Sequence, residues 1–120
     1  MTAIQLTNSN NMKTIQSAEE FKEILENNMG VLAYYSHEKC NVCKTLKPKL
    51  SEYFTDHYPK IEQAYVDIEK LPEVAAQYSI FTVPVILIFF EGKETYRKAR
   101  AFGIQELAEL VDRPYSLMFD

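Results

Sequence analysis

Two cysteines separated by two residues, Cys40 and Cys43, stand between a strand-like segment and a helix-like segment. The preceding run, Val31 to Tyr35, is almost continuously apolar, which is typical of a strand buried on both faces. The following residues predict a helix, because apolar side chains recur at a spacing of four: Val42, Leu46 and Leu50. A spacing of three places both sulfurs on one side of that helix, close enough to form a disulfide. The chain is therefore expected to hold a dithiol where a buried strand meets a helix.

The rest of the chain alternates strand-like and helix-like segments in the order β α β α β α β β α, with strands predicted at 12–16, 31–35, 64–68, 83–90 and 93–99. The β-α-β stretches require parallel neighbours, and the turn at Glu91-Gly92 adds an antiparallel hairpin. The predicted fold class is α/β, with a central mixed sheet flanked by helices on both faces. We expect a flexible lead-in over residues 1–11 and a single domain over residues 12–120.

Local signals predict where the helices begin and end. Ser17 and Glu20 form a capping box at the start of the first helix. Gly30 is expected to end that helix with a positive φ. Pro48 is expected to kink the second helix, and the last helix is expected to give way to a packed tail from Arg113.

Charge and hydropathy exclude several function classes. With 13 basic and 17 acidic residues the net charge is 13 − 17 = −4, and no basic cluster offers a site for nucleic acid or an anionic membrane. The longest apolar stretch, Val83 to Phe90, is far shorter than the roughly 20 residues of a membrane helix. The N-terminus lacks the features of a secretory signal, which predicts a cytoplasmic location. In a reducing compartment a close cysteine pair is typically catalytic, redox-sensing or metal-binding.

The Cys-x-x-Cys motif at this junction resembles the active site of thioredoxins. Pro48 lies eight residues after Cys40, where thioredoxins also carry a proline, and Thr82-Val83-Pro84 resembles the family's cis-proline loop. The separation 84 − 40 = 44 is the thioredoxin separation. Glu91-Gly92 and Gly103 fall where the family has its hairpin turn and the glycine before its last helix. The resemblance covers about residues 12 to 113 and implies a thioredoxin-like fold.

The resemblance also implies a function, that of a thiol–disulfide oxidoreductase, most simply a protein-disulfide reductase. In that reading Cys40 is the attacking thiolate and Cys43 the resolving thiol, and Val83 and Pro84 form a cis peptide that binds the substrate chain. No cofactor and no metal is implied. The expected partners are disulfide-containing proteins, together with a reductase or a low-molecular-weight thiol for recycling. A monomer is expected.

The sequence departs from the family at three places. Its motif reads Lys39-Cys40-Asn41-Val42-Cys43, whereas the thioredoxin signature is Trp-Cys-Gly-Pro-Cys. Tyr34 occupies the position of the family's buried acid, six residues before Cys40. Gln63 occupies the position of the lysine that pairs with this acid. The charged relay that assists the second cysteine is therefore missing.

Residues around the motif are expected to modulate its chemistry. Only a thiolate attacks a disulfide, and a helix N-terminus stabilises an anion through free N–H groups and the helix dipole. Cys40 is predicted to lie at such a terminus, with Lys39 and His37 adding positive charge nearby. Asn41 and Val42 offer no acid–base group and are expected to tune the redox potential.

Two other interpretations stay open at this point. A thioredoxin-like binding module would use the cysteines as a redox switch for partner affinity, without turnover. A metal–thiolate protein would use Cys40, Cys43 and His37 as ligands, although a fourth ligand at useful spacing is lacking. Pro84 can also be read simply as the first residue of a strand.

Overall fold

The computed structural model describes residues 12–99 and 103–119. Its elements run in the predicted order: β1 (Lys13–Thr14), α1 (Ala18–Asn27), β2 (Gly30–Ser36), α2 (Asn41–His57), β3 (Glu62–Asp67), α3 (Pro72–Gln77), β4 (Val85–Phe90), β5 (Lys93–Ala99) and α4 (Ile104–Phe119). The expected lead-in over residues 1–11 lies outside the described residues. The extent of the single domain, 12–120, stays a prediction.

The five strands form one mixed sheet in the order β1-β3-β2-β4-β5. Strand β3 pairs in parallel with β1 and β2, whereas β4 pairs antiparallel with β2 and β5. Every residue of β2 is buried, because this central strand is covered on both faces. The predicted fold class is confirmed.

Each face of the sheet carries its own hydrophobic core, because successive side chains of a strand point to opposite faces. On one face Tyr35 packs with Phe21 of α1 and Val74 of α3. On the other face Tyr34 packs with Phe54 of α2 and Leu107 of α4. Helices therefore cover both faces, and the α2 side is the one that contains Cys43.

Helix α2 runs without interruption through Pro48, and its buried side chains Leu50 and Phe54 hold it against the sheet. The prediction that Val42 shares this apolar face is wrong, because the Val42 side chain is 66% exposed. Val42 lies in the first turn of the helix. The cysteine pair thus stands at the start of a helix whose first buried side chain is Cys43.

The first helix begins as predicted but ends differently. Ser17 Oγ accepts a hydrogen bond from Glu20 N at 3.1 Å, whereas the Glu20 carboxylate accepts from Gln16 N rather than from Ser17 N. The predicted positive φ at Gly30 is wrong, because Gly30 opens β2 and the only glycine with positive φ among the described residues is Gly92. A Cβ at Gly30 would lie 3.1 Å from Cγ1 of Ile61, which is closer than an ordinary side-chain contact.

The last helix extends further than expected. Instead of a tail from Arg113, α4 continues through Pro114 to Phe119. A proline inside a helix removes one backbone hydrogen bond, and aromatic rings pack next to this one. The Tyr115 ring lies 5.1 Å from that of Tyr58 and 4.8 Å from that of Phe119, between ring centroids. None of the helices within residues 12–99 and 103–119 is both long and apolar enough to span a membrane.

Candidate functional site: a dithiol at a helix N-terminus

Cys40 and Cys43 form a disulfide at the start of α2, with their Cα atoms 5.2 Å apart. Cys40 is the N-cap of the helix, and its Sγ accepts a hydrogen bond from the backbone N–H of Cys43 at 3.2 Å. The Cys40 carbonyl accepts from Lys44 N at 3.2 Å, which begins the helical hydrogen bonds. A sulfur in this place occupies the position of a capping oxygen, where donors and the positive end of the helix dipole converge.

The two sulfurs differ in accessibility. Cys40 is half-buried, whereas Cys43 is only 2% exposed and belongs to the core between the sheet, α2 and α4. An incoming disulfide therefore meets Cys40 first, while Cys43 is confined behind it.

From this geometry we expect the reduced Cys40 thiol to have a pKa below the value of about 8.5 found for a free cysteine. The N–H donor and the helix dipole stabilise the thiolate but not the thiol, so the charged form is favoured. The measurement is the rate of Cys40 alkylation against pH in a Cys43→Ser variant. A midpoint at the free-thiol value would contradict the expectation.

A tyrosine contacts the dithiol from behind. Tyr34 is fully buried in β2, and its hydroxyl donates a hydrogen bond to the Cys43 carbonyl at 3.2 Å. Burial, with a smaller effect of the neighbouring Tyr65, raises the pKa of Tyr34 far above its usual range. Tyr34 therefore remains a neutral hydrogen-bond donor and cannot accept a proton as a carboxylate would.

Gln63 lies deeper in the same core and bonds to α2 instead. Its side-chain oxygen accepts from Ser51 Oγ at 2.6 Å, and its amide donates to Thr55 Oγ1 at 3.1 Å. The two substituted positions thus contact different parts of α2, since Tyr34 bonds to its first turn and Gln63 to its second half. Neutral hydrogen bonds stand where the family has a buried charged pair.

A cleft of about 230 Å³ opens beside Cys43, lined by Ser36, His37, Glu38, Cys43, Lys44, Lys47 and Tyr65. Lys47 Nζ lies 4.0 Å from the centroid of the Tyr65 ring, within range of a cation–π interaction. Partial burial lowers the pKa of Lys47. A larger depression of about 530 Å³ is lined by residues of α1 and the Glu91-Gly92 turn and includes neither cysteine.

The predicted modulators occupy different positions around the dithiol. His37 lines the cleft, and its buried Nδ1 has no hydrogen-bond partner among the described residues. Lys39, Asn41 and Val42 are exposed. Lys39 and Asn41 flank Cys40 in the sequence, and Val42 precedes Cys43.

The predicted substrate loop precedes β4 rather than starting it. The Val83–Pro84 peptide is cis, and the strand begins at Val85. Val83 is partly buried against the same core cluster as Cys40. The sequence interpretation missed Phe81, which is 79% exposed two residues earlier. The sequence signal for Phe81 was a large apolar residue between a helix-like segment and the proline loop.

No group of three or more His, Cys, Asp or Glu side chains is arranged to hold a metal ion within the described ranges. His37, the third ligand of the metal–thiolate interpretation, therefore does not complete such a cluster there.

Comparison with known proteins agrees with the fold and the dithiol. The family model "Thioredoxin" matches residues 12–113. A thioredoxin-like protein YdfQ of Bacillus subtilis is 30% identical over 106 residues, covering 88% of this chain and 94% of the relative. The thioredoxin of Buchnera aphidicola subsp. Schizaphis graminum is 35% identical, covering 76% of this chain and 84% of its own.

Among solved structures, the thioredoxin of Fasciola hepatica matches with a TM-score of 0.76 and 27% identity, over 85% of this chain and 98% of its own. A mutant thioredoxin of Halobacterium salinarum matches with a TM-score of 0.78 and 20% identity, over 88% and 91%, a likeness in fold. The chain therefore belongs to the thioredoxin family and is a thiol–disulfide oxidoreductase, whose Cys40–Cys43 pair fits the family's Cys-x-x-Cys motif.

Proposed function

We propose that the protein reduces disulfides in other proteins, with Cys40 as the attacking and Cys43 as the resolving cysteine. The Cys40 thiolate attacks one sulfur of the substrate disulfide, and the other substrate sulfur leaves as a thiolate that takes a proton from water. Cys43 then loses its proton and attacks Cys40 Sγ. The mixed disulfide breaks, the second substrate thiol is released, and the Cys40–Cys43 disulfide holds the oxidised pair. Two electrons pass from the dithiol to the substrate.

The observation that carries this proposal is the asymmetry of the pair. Cys40 is accessible and its sulfur accepts a backbone N–H, which are the properties of an attacking thiolate. Cys43 is buried one helical turn further on and bonded closely to Cys40, which are the properties of a resolving thiol.

The proposed substrate surface surrounds Cys40. It consists of the exposed Val42 and Phe81 together with Val83 and Pro84 of the loop before β4. An extended substrate segment would bond to the loop backbone as an added strand, and Val42 and Phe81 would contact its apolar side chains. Asn41 has no charge that would oppose this contact.

Each turnover oxidises the dithiol, so a reductant must restore it. A flavin-dependent reductase or a low-molecular-weight thiol fills this role in the proposal, and no bound cofactor takes part. The monomeric state and the cytoplasmic location stay predictions from the sequence.

The test is catalytic turnover. We expect the protein to accelerate the reduction of insulin disulfides by dithiothreitol, because the small thiol regenerates Cys40 and Cys43 after every cycle. The control is the Cys40→Ser variant, which keeps the buried Cys43 but lacks the attacking thiolate. Folded protein with two free thiols that gives no acceleration would contradict the proposal.

One observation favours a second candidate function. Tyr34 and Gln63 replace the charged pair that assists turnover in the family. A redox-responsive binding module needs only the dithiol–disulfide transition and a partner surface, not a fast cycle. Partner binding that depends on the redox state, without insulin reduction, would favour this module. Metal content of the purified protein decides the metal–thiolate interpretation.

A further inference from the structure

The resolving step requires Cys43 to lose a proton inside the protein. A buried thiol resists ionisation, because burial disfavours the charged form. The polar group that contacts Cys43 from β2 is the Tyr34 hydroxyl, which donates to the Cys43 carbonyl and remains protonated. Gln63 is engaged with Ser51 and Thr55. A thiolate at Cys43 therefore needs a source of stabilisation other than the two positions the family uses.

Lys47 is placed to supply it. It follows Cys43 by four residues on α2, a spacing that puts two side chains on the same helix face. Lys47 and Cys43 line the same cleft. The half-buried Lys47 side chain is fixed over the Tyr65 ring, with Nζ 4.0 Å from its centroid. Tyr65 lies beside Tyr34 in the sheet register, so the ammonium is held on the sheet side of the helix near Cys43.

The positive charge of Lys47 has no carboxylate partner in the described part of the chain. The ion pairs there use other basic residues: Lys13, Lys70, Arg97 and Lys98. The other titratable groups in the cleft or against its walls are these: His37, Glu38, Lys44, Tyr34, Tyr65 and Asp67. Glu38 is paired with Lys70 at 3.2 Å, and Asp67 accepts from the amides of Glu69 and Lys70. An anion at Cys43 would offset the cost of keeping Lys47 charged and partly buried.

We propose that Lys47 is a positioning residue for the resolving step, where its ammonium stabilises the Cys43 thiolate across the cleft. This rests on the proposed roles of Cys40 and Cys43. The proton leaves Cys43 for water in the cleft, and the thiolate attacks Cys40 Sγ in the mixed disulfide. The bond between Cys40 and the substrate sulfur breaks, and the substrate sulfur leaves with the electron pair and takes a proton from water.

The experiment measures the two chemical steps separately in Lys47→Gln. Attack is followed as mixed-disulfide formation in a Cys43→Ser background, and resolution as release of reduced substrate when Cys43 is present. We expect resolution to slow about tenfold at neutral pH, as the loss of one nearby charge raises the pKa of Cys43 by about one. Attack by Cys40 should be unchanged. Lys47→Arg, which keeps the charge, should retain most of the rate.

The matched control is Lys49→Gln, an exposed lysine of the same helix that does not line the cleft. It should resolve at the wild-type rate. The Lys47→Gln rate should return to that of the wild type at high pH, where Cys43 is ionised in both proteins. A His37→Asn variant tests the imidazole in the same cleft, and a loss confined to that variant would overturn the role of Lys47.

A second readout does not depend on activity. In a Cys40→Ser variant the ionisation of Cys43 is followed by NMR through its Cβ chemical shift, with and without Lys47→Gln. A higher pKa of Cys43 in the doubly substituted protein supports the inference, and identical titrations overturn it. If the wild-type protein fails to reduce insulin while this titration shifts, the proposed function fails and the electrostatic coupling stands. Equal slowing of attack and resolution in Lys47→Gln would also overturn the proposed role of Lys47.

Discussion

Cys40→Ser is expected to reduce the rate of insulin reduction to that of dithiothreitol alone. The serine hydroxyl retains the N-cap hydrogen bond that Cys40 Sγ accepts from Cys43 N, so helix α2 keeps its start. The serine oxygen cannot attack a disulfide or form a mixed disulfide. Cys43 cannot take over the attack, because it is buried and only 2% exposed. The measurement compares rates of insulin precipitation with equal concentrations of the two proteins.

Cys43→Ser is the matched variant, because it removes the other sulfur and leaves Cys40 reactive. It should also lose turnover, yet it should accumulate mixed disulfides with substrate proteins through Cys40. These are detected as covalent adducts that dithiothreitol cleaves by reduction. If Cys40→Ser accumulates adducts and Cys43→Ser does not, the proposed roles of the two cysteines are reversed.

Tyr34→Asp, which introduces the acid found in the family, is expected to destabilise the fold by more than about 4 kcal/mol at neutral pH. It deletes a fully buried ring and places a carboxyl in a core where Gln63, at the family's lysine position, carries no positive charge. Burial raises the pKa of that carboxyl above its unfolded value of about 3.9, so the fold favours the protonated form. The penalty is therefore smallest below the unfolded pKa and grows as the pH rises through the folded pKa.

Urea unfolding at acidic and at neutral pH measures this dependence, with both proteins fully oxidised. Tyr34→Phe is the control, since it keeps the ring and loses only the hydrogen bond to the Cys43 carbonyl, at a cost of about 1 kcal/mol. The control should show the same loss at both pH values. An equal loss at both values for Tyr34→Asp would mean that the missing volume, and not the charge, causes its instability.

Much of the fold follows from local patterns in the sequence. The apolar run that ends at Phe90 forms the predicted strand, Ser17 caps the first helix, and Glu91-Gly92 makes the hairpin turn. These signals act over a few residues, where backbone preferences and hydrogen bonding decide the structure. The Cys-x-x-Cys site followed for the same reason, since a continuous apolar run precedes it and a helical pattern follows it.

The features that sequence reasoning missed depend on contacts between distant residues. Helix α4 continues through Pro114, and the next residue, Tyr115, packs on Tyr58, 57 positions earlier, as 115 − 58 = 57. The contact of Lys47 with Tyr65 requires the register of β3 beside β2. The exposure of Phe81 depends on the path of the loop before β4. The spacing of residues within one helix or strand carries no information about such long-range contacts.

The two outer strands of the sheet bear on how the protein avoids self-assembly. The edge strand β1 is only two residues long, and β5 at the other edge is mostly exposed. On β5, Arg97 pairs with Glu94 and Lys98 pairs with Glu106 of α4. Short or charged edges resist the addition of foreign strands, which would otherwise seed fibrils. In the proposed function an extended substrate segment pairs with the loop beside Cys40 and not with either sheet edge, so substrate binding and aggregation would involve different surfaces.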